Sequence, residues 1–189
     1  MPRYICLDFE TNGFPSRGMP FRDWPLPFSS FPIQLSVDIV DADTEIAHAM
    51  DTTICGATQL APWVRSNVPI TIEHIREGLS FEDTVGKLAE QVRDGDTIVA
   101  HNAAFDVETV LARTARKLGY SSSALHRILE APRFCTMRCA YSRNAMGRPC
   151  LKELCKHFEV ILDGAHDARA DSAALARCVA EALRRGVML

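Results

Sequence analysis

The stretch YICLDFETNG, residues 4–13, joins an apolar run to two acids, Asp8 and Glu10. The apolar run predicts a buried strand, and the period of two along a strand points both carboxylates to the same face of a sheet. Carboxylates that close repel each other unless a cation neutralises them, and Mg²⁺ prefers such oxygen ligands. An acid pair of this kind also arises by chance where a strand ends at the surface, so its meaning depends on the rest of the chain.

A third acid follows in the motif HNAAFD, residues 101–106. The apolar residues Thr97 to Ala100 predict a short strand immediately before it, and Asp106 falls in the first turn of the helix that comes next. The positive end of the helix dipole favours the ionised carboxylate there. Asp106 could also only cap its helix, and His101 could only end the strand, so a functional site is indicated by the motifs together.

The motif HDARAD, residues 166–171, supplies a histidine and two acids near the start of the last predicted helix. A histidine at this position, His166, can act as a general base and take a proton from a metal-bound water, as phosphodiester hydrolysis requires. Asp163 is a further acid close by. Helical direction alone does not separate Asp167 from Asp171 as the acid of the site.

The remaining pattern predicts a three-stranded meander followed by alternating helices and strands. Further strands are expected over Ile33 to Ile39 and Glu45 to Met50. Helices are expected near Leu60 to Ser66, from Ser80 to a point before Gly95, and over Phe105 to Leu118, Ser123 to Glu130, Leu151 to Phe158 and Ala168 to Arg185. This order indicates an α/β fold, a mixed sheet flanked by helices, in one domain spanning residues 1–189.

The composition is that of an ordinary globular protein, with 47% hydrophobic and 24% charged residues. No stretch approaches the roughly 18 consecutive apolar residues of a membrane span, so we expect an intracellular protein, cytoplasmic or located in the nucleoid or nucleus. The formal net charge of −3 excludes a protein that binds nucleic acid through a positive electrostatic potential over its whole surface. Any contact with nucleic acid should therefore be local and assisted by bound cations.

Taken together, in this order and spacing, the three motifs resemble the Exo motifs of the DnaQ-like DEDDh 3′–5′ exonuclease family. That family includes the epsilon proofreading domain of DNA polymerase III, RNase T and the Trex-type exonucleases. PIQLS at residues 32–36 and CLKELC at residues 150–155 fit the same family, so the resemblance spans nearly the whole chain. It implies an RNase H-like mixed five-stranded sheet, an antiparallel meander plus parallel strands, flanked by helices.

The resemblance also implies hydrolysis of single-stranded nucleic acid from its 3′ end to nucleoside 5′-monophosphates, with two Mg²⁺ or Mn²⁺ ions. Nothing in the motifs separates DNA from RNA, because both share the reacting phosphate; we favour DNA slightly. The family's fourth acid lies five residues after its histidine, which selects Asp171 over Asp167.

Five catalytic residues follow from the resemblance: Asp8, Glu10, Asp106, His166 and Asp171. Asp8 would contact both ions, whereas Glu10 and Asp171 would hold the catalytic one. Asp106 would support the second ion partly through water, and His166 would deprotonate the attacking water.

Substrate contacts are implied around both early motifs. The pocket for the terminal nucleotide would be shaped by Phe9, Thr11, Asn12 and Gly13, with further contacts from His101, Asn102 and Phe105. A proline-rich loop, residues 14–32, leaves the first motif and should reach the rim of the site. Phe21 or Trp24 could stack on a base there, or the aromatic residues of the loop could simply pin it to the body of the protein.

A basic series precedes the last motif: Arg133, Arg138, Arg143, Arg148 and Lys152. Such a series could follow a phosphate backbone or form a solvated helix face.

Other classes of function stay open from the sequence. A catalytically weak nucleic-acid-binding or polymerase-associated adaptor could keep the same fold, although all five residues of the site are present. A zinc-binding module could use two cysteine pairs, Cys135/Cys139 and Cys150/Cys155, which we place in helices; buried or incidental thiols are the alternative. For an exonuclease, proofreading would need a polymerase or repair partner in trans, and homodimers occur among relatives.

Overall fold

The computed structural model describes residues 3–14 and 30–187. Its strands are β1 (Tyr4–Thr11), β2 (Pro32–Val40), β3 (Ile46–Thr53), β4 (Thr97–Ala100) and β5 (Arg133–Cys135). They form one sheet in the order β3-β2-β1-β4-β5. β2 runs antiparallel to β1 and β3, whereas β4 is parallel to β1 and to β5. The predicted mixed five-stranded sheet is therefore confirmed.

The α-helices are α1 (Pro62–Asn67), α2 (Ile72–Arg76), α3 (Phe81–Gln91), α4 (Arg113–Leu118), α5 (Ser123–Glu130), α6 (Ala140–Met146), α7 (Leu151–Phe158) and α8 (Ala168–Arg184). A π-helical segment, Ala104–Ala112, leads directly into α4. Among the described residues, no helix combines the length and apolar character needed to cross a bilayer.

Helices cover both faces of the sheet, and the alternation along β1 assigns each of its side chains to one face. Ile5, Leu7 and Phe9 belong to an apolar cluster with residues of α3, the π-helical segment and α5. Cys6 belongs to a second cluster on the other face, with residues of α7 and α8. Because Asp8 and Glu10 share the parity of Cys6, their carboxylates lie on the α8 side of the sheet.

The carboxyl end of β1 extends beyond β4. β4 pairs with β1 only over Tyr4–Cys6, while β2 pairs with β1 along its whole length. The last residues of β1 therefore have a strand on one side only, and the chain that follows β4 can approach them from the other.

The predicted elements that carry a long apolar stripe are confirmed. On α3 the apolar residues Val85, Leu88 and Ala89 are buried, and the amide of Asp83 donates to Ser80 Oγ at 3.0 Å, so that Ser80 is the N-cap. The helix predicted from Phe105 to Leu118 is present, but its first part is π-helical. α2 and β5, with 5 and 3 residues, were missed because they are too short for a periodic pattern. The 7-residue α6 was also missed, although the 6-residue α1 was predicted.

Candidate active site

β1 presents two partly buried acids, Asp8 and Glu10, beside the start of α8. Burial raises the pKa of Asp8 well above its ordinary value, and so do four neighbouring carboxylates: Asp106, Glu10, Asp171 and Asp167. Burial, followed by the charges of Asp171, Asp106 and Asp167, raises the pKa of Glu10 to about 8. Carboxylates that perturb one another in this way need bound protons or cations to remain together.

Asp106 reaches this cluster from the face of the sheet that is covered by α3, α5 and the π-helical segment. It lies in the first turn of the π-helical segment, is 3% exposed, and accepts a hydrogen bond from the Phe9 amide at 3.2 Å. That amide lies on the part of β1 that β4 does not pair. Burial raises the pKa of Asp106 to about 7, although the hydrogen bond from Phe9 acts in the opposite direction. Single π-helical turns often occur at functional sites, and here one presents a buried acid.

The segment before α8 adds His166 and Asp171. Potential ligand atoms of Glu10, His166 and Asp171 lie within 4.8 Å of one another, which is close enough for one metal ion. The His166 amide donates to Asp171 Oδ2 at 3.1 Å, and His166 has a left-handed φ of 67°, a conformation that costs energy outside glycine. The second carboxylate oxygen of Asp171, Oδ1, is buried without a hydrogen-bond partner in the described part of the chain. An unpaired buried carboxylate oxygen in an acidic cluster suits a cation ligand.

Asp167 and Asp171, which helical direction could not separate, have different contacts. Asp167 is the N-cap of α8 and accepts from the Arg169 amide at 3.3 Å. Its Oδ1 also accepts from Gln34 Nε2 at 2.8 Å, and Gln34 Oε1 accepts from the Ala168 amide at 3.1 Å. Asp167 therefore fastens the start of α8 to β2, whereas Asp171 lies with Glu10 and His166. The third competitor, Asp163, is exposed and lies outside this group.

His101 is held within the scaffold of the site. Its Nδ1 lies 2.9 Å from Thr136 Oγ1, and its Nε2 lies 2.9 Å from the Pro149 carbonyl oxygen. Because a carbonyl only accepts, Nε2–H donates to Pro149 and the Thr136 hydroxyl donates to Nδ1. Burial lowers the pKa of His101, in agreement with a neutral ring. Both ring nitrogens have protein partners, while the buried Oδ1 of the adjacent Asn102 has none among the described residues.

Three of the predicted contacts with the terminal nucleotide, Phe9, Thr11 and Asn12, have buried side chains. Their backbone, rather than their side chains, is thus available to a ligand. Asn12 also ties neighbouring segments to β1. Its carbonyl accepts from the Ala61 amide at 2.9 Å, and its Oδ1 accepts from the Phe31 amide at 3.0 Å. These bonds bring α1 and the end of the proline-rich loop beside the first motif.

Two exposed aromatic side chains, Phe14 and Trp63, lie beside these groups. Trp63, 47% exposed, stands edge-on to the His166 imidazole with ring centroids 4.9 Å apart. Phe14, 58% exposed, lies 5.5 Å from the ring of Phe105, the residue before Asp106. Sequence reasoning missed Trp63, since its only signal was a tryptophan at the start of a short helix. The predicted stacking residues Phe21 and Trp24 lie outside the described residues.

The cysteine pairs do not form a second metal centre. All seven cysteines are free. Cys135 lies in β5, so its placement in a helix was wrong, and Cys139 and Cys150 are the N-cap residues of α6 and α7. The buried Cys155 lies 3.7 Å from Cys178 instead. Across residues 3–14 and 30–187, the one group with metal-ligand spacing is the acidic cluster at the end of β1.

Comparison with known proteins links this acidic site to nucleases. A solved 3′-exonuclease, described by its 3′-end-specific recognition of a histone mRNA stem-loop, matches 97% of this chain and 82% of its own length, with a TM-score of 0.75 and 16% identity. E. coli Exonuclease I in complex with a dA16 oligonucleotide matches with a TM-score of 0.74 and 17% identity, over 98% of this chain and 41% of its own. Cell-death related nuclease 4 matches with a TM-score of 0.69 and 14% identity, over 97% of this chain and 64% of its own.

At these identities the structural matches establish the fold, which is the RNase H-like fold of exonucleases. No curated protein matches the chain by sequence. The RNase T exonuclease family, in contrast, matches residues 5–179, which include all three acidic motifs. The chain therefore belongs to the RNase T family of exonucleases and is a nuclease.

Proposed function

We propose that this protein is a metal-dependent 3′–5′ exonuclease that hydrolyses single-stranded nucleic acid to nucleoside 5′-monophosphates, with DNA slightly favoured over RNA. The observation that carries the proposal is the convergence of three distant segments on one cluster. Glu10, His166 and Asp171 offer ligand atoms within 4.8 Å of one another, and Asp8 and Asp106 are electrostatically coupled to the same group.

The donor set suits two Mg²⁺ or Mn²⁺ ions. Four carboxylates from three segments supply hard oxygen ligands. Burial raises the pKa values of Asp8, Glu10 and Asp106, and neighbouring carboxylates raise those of Asp8 and Glu10 further, so the ionised cluster needs compensating positive charge. Bound divalent cations would cancel this repulsion and stabilise the charge that develops on a reacting phosphate. Asp171 Oδ1, buried and without a hydrogen-bond partner among the described residues, would be available as a ligand.

His166 is the proposed general base. It is exposed, so a water molecule can reach the imidazole, and its backbone is held by the carboxylate of Asp171 at 3.1 Å. The ring edge contact with Trp63 restricts the orientation of the imidazole. In the proposed reaction His166 accepts the proton of the attacking water, while the cations that the carboxylates would hold keep the phosphate in place.

The aromatic rim supports a single-stranded substrate. Phe14 and Trp63 are the exposed Phe and Trp side chains of the described residues, and both lie next to members of the acidic cluster or their sequence neighbours. Base stacking on an aromatic side chain contributes about 1–3 kcal/mol per base and requires an unpaired base. In the proposed complex both rings would contact the bases nearest the 3′ end.

Digestion of matched single-stranded DNA and RNA oligomers with Mg²⁺ or Mn²⁺ tests the proposal. Strands labelled at the 5′ end should shorten one nucleotide at a time, and strands labelled at the 3′ end should release labelled mononucleotide first. EDTA should stop both reactions, and so should Asp8→Asn, which keeps the size of the side chain but removes its charge. Wild-type protein that binds the strands but leaves them intact with either metal would favour an adaptor instead.

A further inference from the structure

The connection from β5 to α7 is the most basic part of this acidic chain. Residues 131–152 contain five cationic residues and no acid, whereas the whole chain has a formal charge of −3. One of the five, Arg133, is paired with Glu108 at 3.6 Å. Three others, Arg138, Arg143 and Arg148, are exposed and line a surface cavity of about 320 Å³. The predicted basic series thus consists of the paired Arg133, an arginine triad, and the exposed Lys152 in the first turn of α7.

Backbone geometry brings the arginine triad together. The chain turns after β5, where the Arg138 amide donates to the Cys135 carbonyl at 3.1 Å, and α6 then carries Arg143. At the end of α6, Gly147 takes φ 78° and ψ −108°, which side-chain-bearing residues rarely adopt, and its amide donates to the Arg143 carbonyl at 3.2 Å. This reversal returns Arg148 towards the other two arginines.

The triad lacks compensating acids. In the described part of the chain, none of the three guanidinium groups forms an ion pair with a carboxylate. Guanidinium groups remain charged at all physiological pH values and repel one another, so three of them around one cavity favour an anion between them. Their planar N–H donors match the oxygens of a phosphate group.

The arginine triad is physically connected to the acidic site. His101, five residues before Asp106, contacts the hydroxyl of Thr136 and the carbonyl of Pro149, each at 2.9 Å. Thr136 precedes Arg138 by two residues, and Pro149 directly follows Arg148. The triad therefore borders the same end of the sheet as the acidic cluster, at the carboxyl ends of β4 and β5.

We propose that the arginine triad binds phosphodiester groups of the substrate strand upstream of its reacting 3′ end. This inference rests on the proposed exonuclease function and adds to it a second anchor for the strand, one that acts through charge and not through base identity. An anchor of this kind lets a protein with net negative charge hold a polyanion, because the attraction is concentrated at the triad and the cation-filled acidic site.

Fluorescence anisotropy with labelled single-stranded DNA tests the anchor without turnover. All proteins would carry Asp8→Asn, so that binding is measured separately from hydrolysis and a failure of one is not read as a failure of the other. Replacement of Arg138, Arg143 and Arg148 by Gln should weaken binding of a 20-mer. Each phosphate neutralised on a single strand contributes about 0.7 to the slope of log affinity against log salt, so the triple variant should lower that slope by about 0.7 if the triad holds one phosphate and by about 2 if each arginine holds its own. With a slope difference of about 2, the parent protein should lose about 16-fold more affinity than the variant between 50 and 200 mM salt.

Two comparisons separate a local anchor from a general effect of charge. A charge-matched variant, with Arg116, Lys117 and Arg133 replaced by Gln, should keep the salt slope of the parent. Gly147→Ala, which keeps every charge but disfavours the chain reversal, should reduce the slope. A dinucleotide should bind the parent and triad variants equally, because it is too short to reach both sites.

Several results would overturn the inference. Equal salt slopes for the triad variant and its parent would show that the triad does not contact the strand. If the charge-matched variant lowered the salt slope as much as the triad variant does, the effect would be one of net charge. If inorganic phosphate at matched ionic strength displaced the 20-mer from the parent but not from the triad variant, the cavity would be a site for free phosphate. Circular dichroism of each variant would verify that it is folded.

Discussion

Glu10→Gln should stabilise the metal-free protein while it abolishes hydrolysis. Burial and the neighbouring carboxylates raise the pKa of Glu10 from 4.5 to about 8. A carboxyl whose pKa is raised by folding binds its proton more tightly in the folded protein than in the unfolded chain. Its ionisation therefore costs stability, and the cost appears as pH rises from about 4.5 towards 8.

The size of the effect follows from the pKa shift. One pKa unit corresponds to 1.36 kcal/mol, so a shift of about 3.5 units sets an upper limit of about 5 kcal/mol on the cost of the Glu10 charge at pH 8. Partial exposure and relaxation of the cluster reduce this, and we expect glutamine to recover about 2 kcal/mol. For a domain of this size that gain raises the Tm by about 4–8 °C.

Thermal unfolding in EDTA at pH 5 and pH 8 measures this gain. Glu10→Gln should unfold at a higher temperature than wild type at pH 8 and at nearly the same temperature at pH 5. Added Mg²⁺ should narrow the difference at pH 8, because cations bind the wild-type cluster more tightly and stabilise it. Glu90→Gln, at an exposed position on α3, is the matched control and should show no such dependence on pH. A Glu10→Gln variant less stable than wild type at pH 8 in EDTA would refute the electrostatic reasoning.

Three further variants test separate parts of the site. His166→Gly should lower kcat by about 10²–10⁴ because the base is lost, yet leave the Tm unchanged or higher because glycine relieves the left-handed φ of 67°; unaltered kcat would exclude His166 as the base. Trp63→Ala should slow hydrolysis of oligonucleotides by removing the ring beside His166, whereas Trp63→Phe should restore most of the rate; equal rates in all three proteins would remove Trp63 from the site. Gln34→Ala removes hydrogen bonds to Asp167 and the Ala168 amide, so the free energy of unfolding measured in urea should fall by about 1–3 kcal/mol. A variant as stable as wild type would show that these bonds do not hold the start of α8.

The sequence predicted those parts of the site that depend on local periodicity. Asp8 and Glu10 share a face because a strand alternates, and Asp106 follows a strand short enough to leave the end of β1 open. The grouping of Asp171 with Glu10, however, depends on how α8 crosses β2. Helical direction could not supply that information, and only the resemblance to a known family distinguished Asp171 from Asp167.

Features formed by long-range contacts were not predictable. Trp63 reaches His166 because Asn12 binds the Ala61 amide, a contact between residues 49 positions apart with no sequence pattern. β5 has only three residues and owes its position to pairing with β4. The basic series was visible in the sequence, but the pattern did not show that Arg133 pairs with Glu108 or that the chain reversal at Gly147 returns Arg148 towards Arg138 and Arg143. The cellular location, a partner in trans and a homodimer stay predictions.

The most direct test of the central claim compares Asp171→Asn with Asp167→Asn in the digestion of a 5′-labelled single strand with Mn²⁺. Asparagine keeps the helix-capping oxygen of Asp167, whereas at Asp171 it removes a charge from the proposed metal site. We expect wild type and Asp167→Asn to shorten the strand stepwise from its 3′ end, and Asp171→Asn to leave it intact. Stepwise shortening by Asp171→Asn at the wild-type rate, or an intact strand with the wild type, would contradict the account.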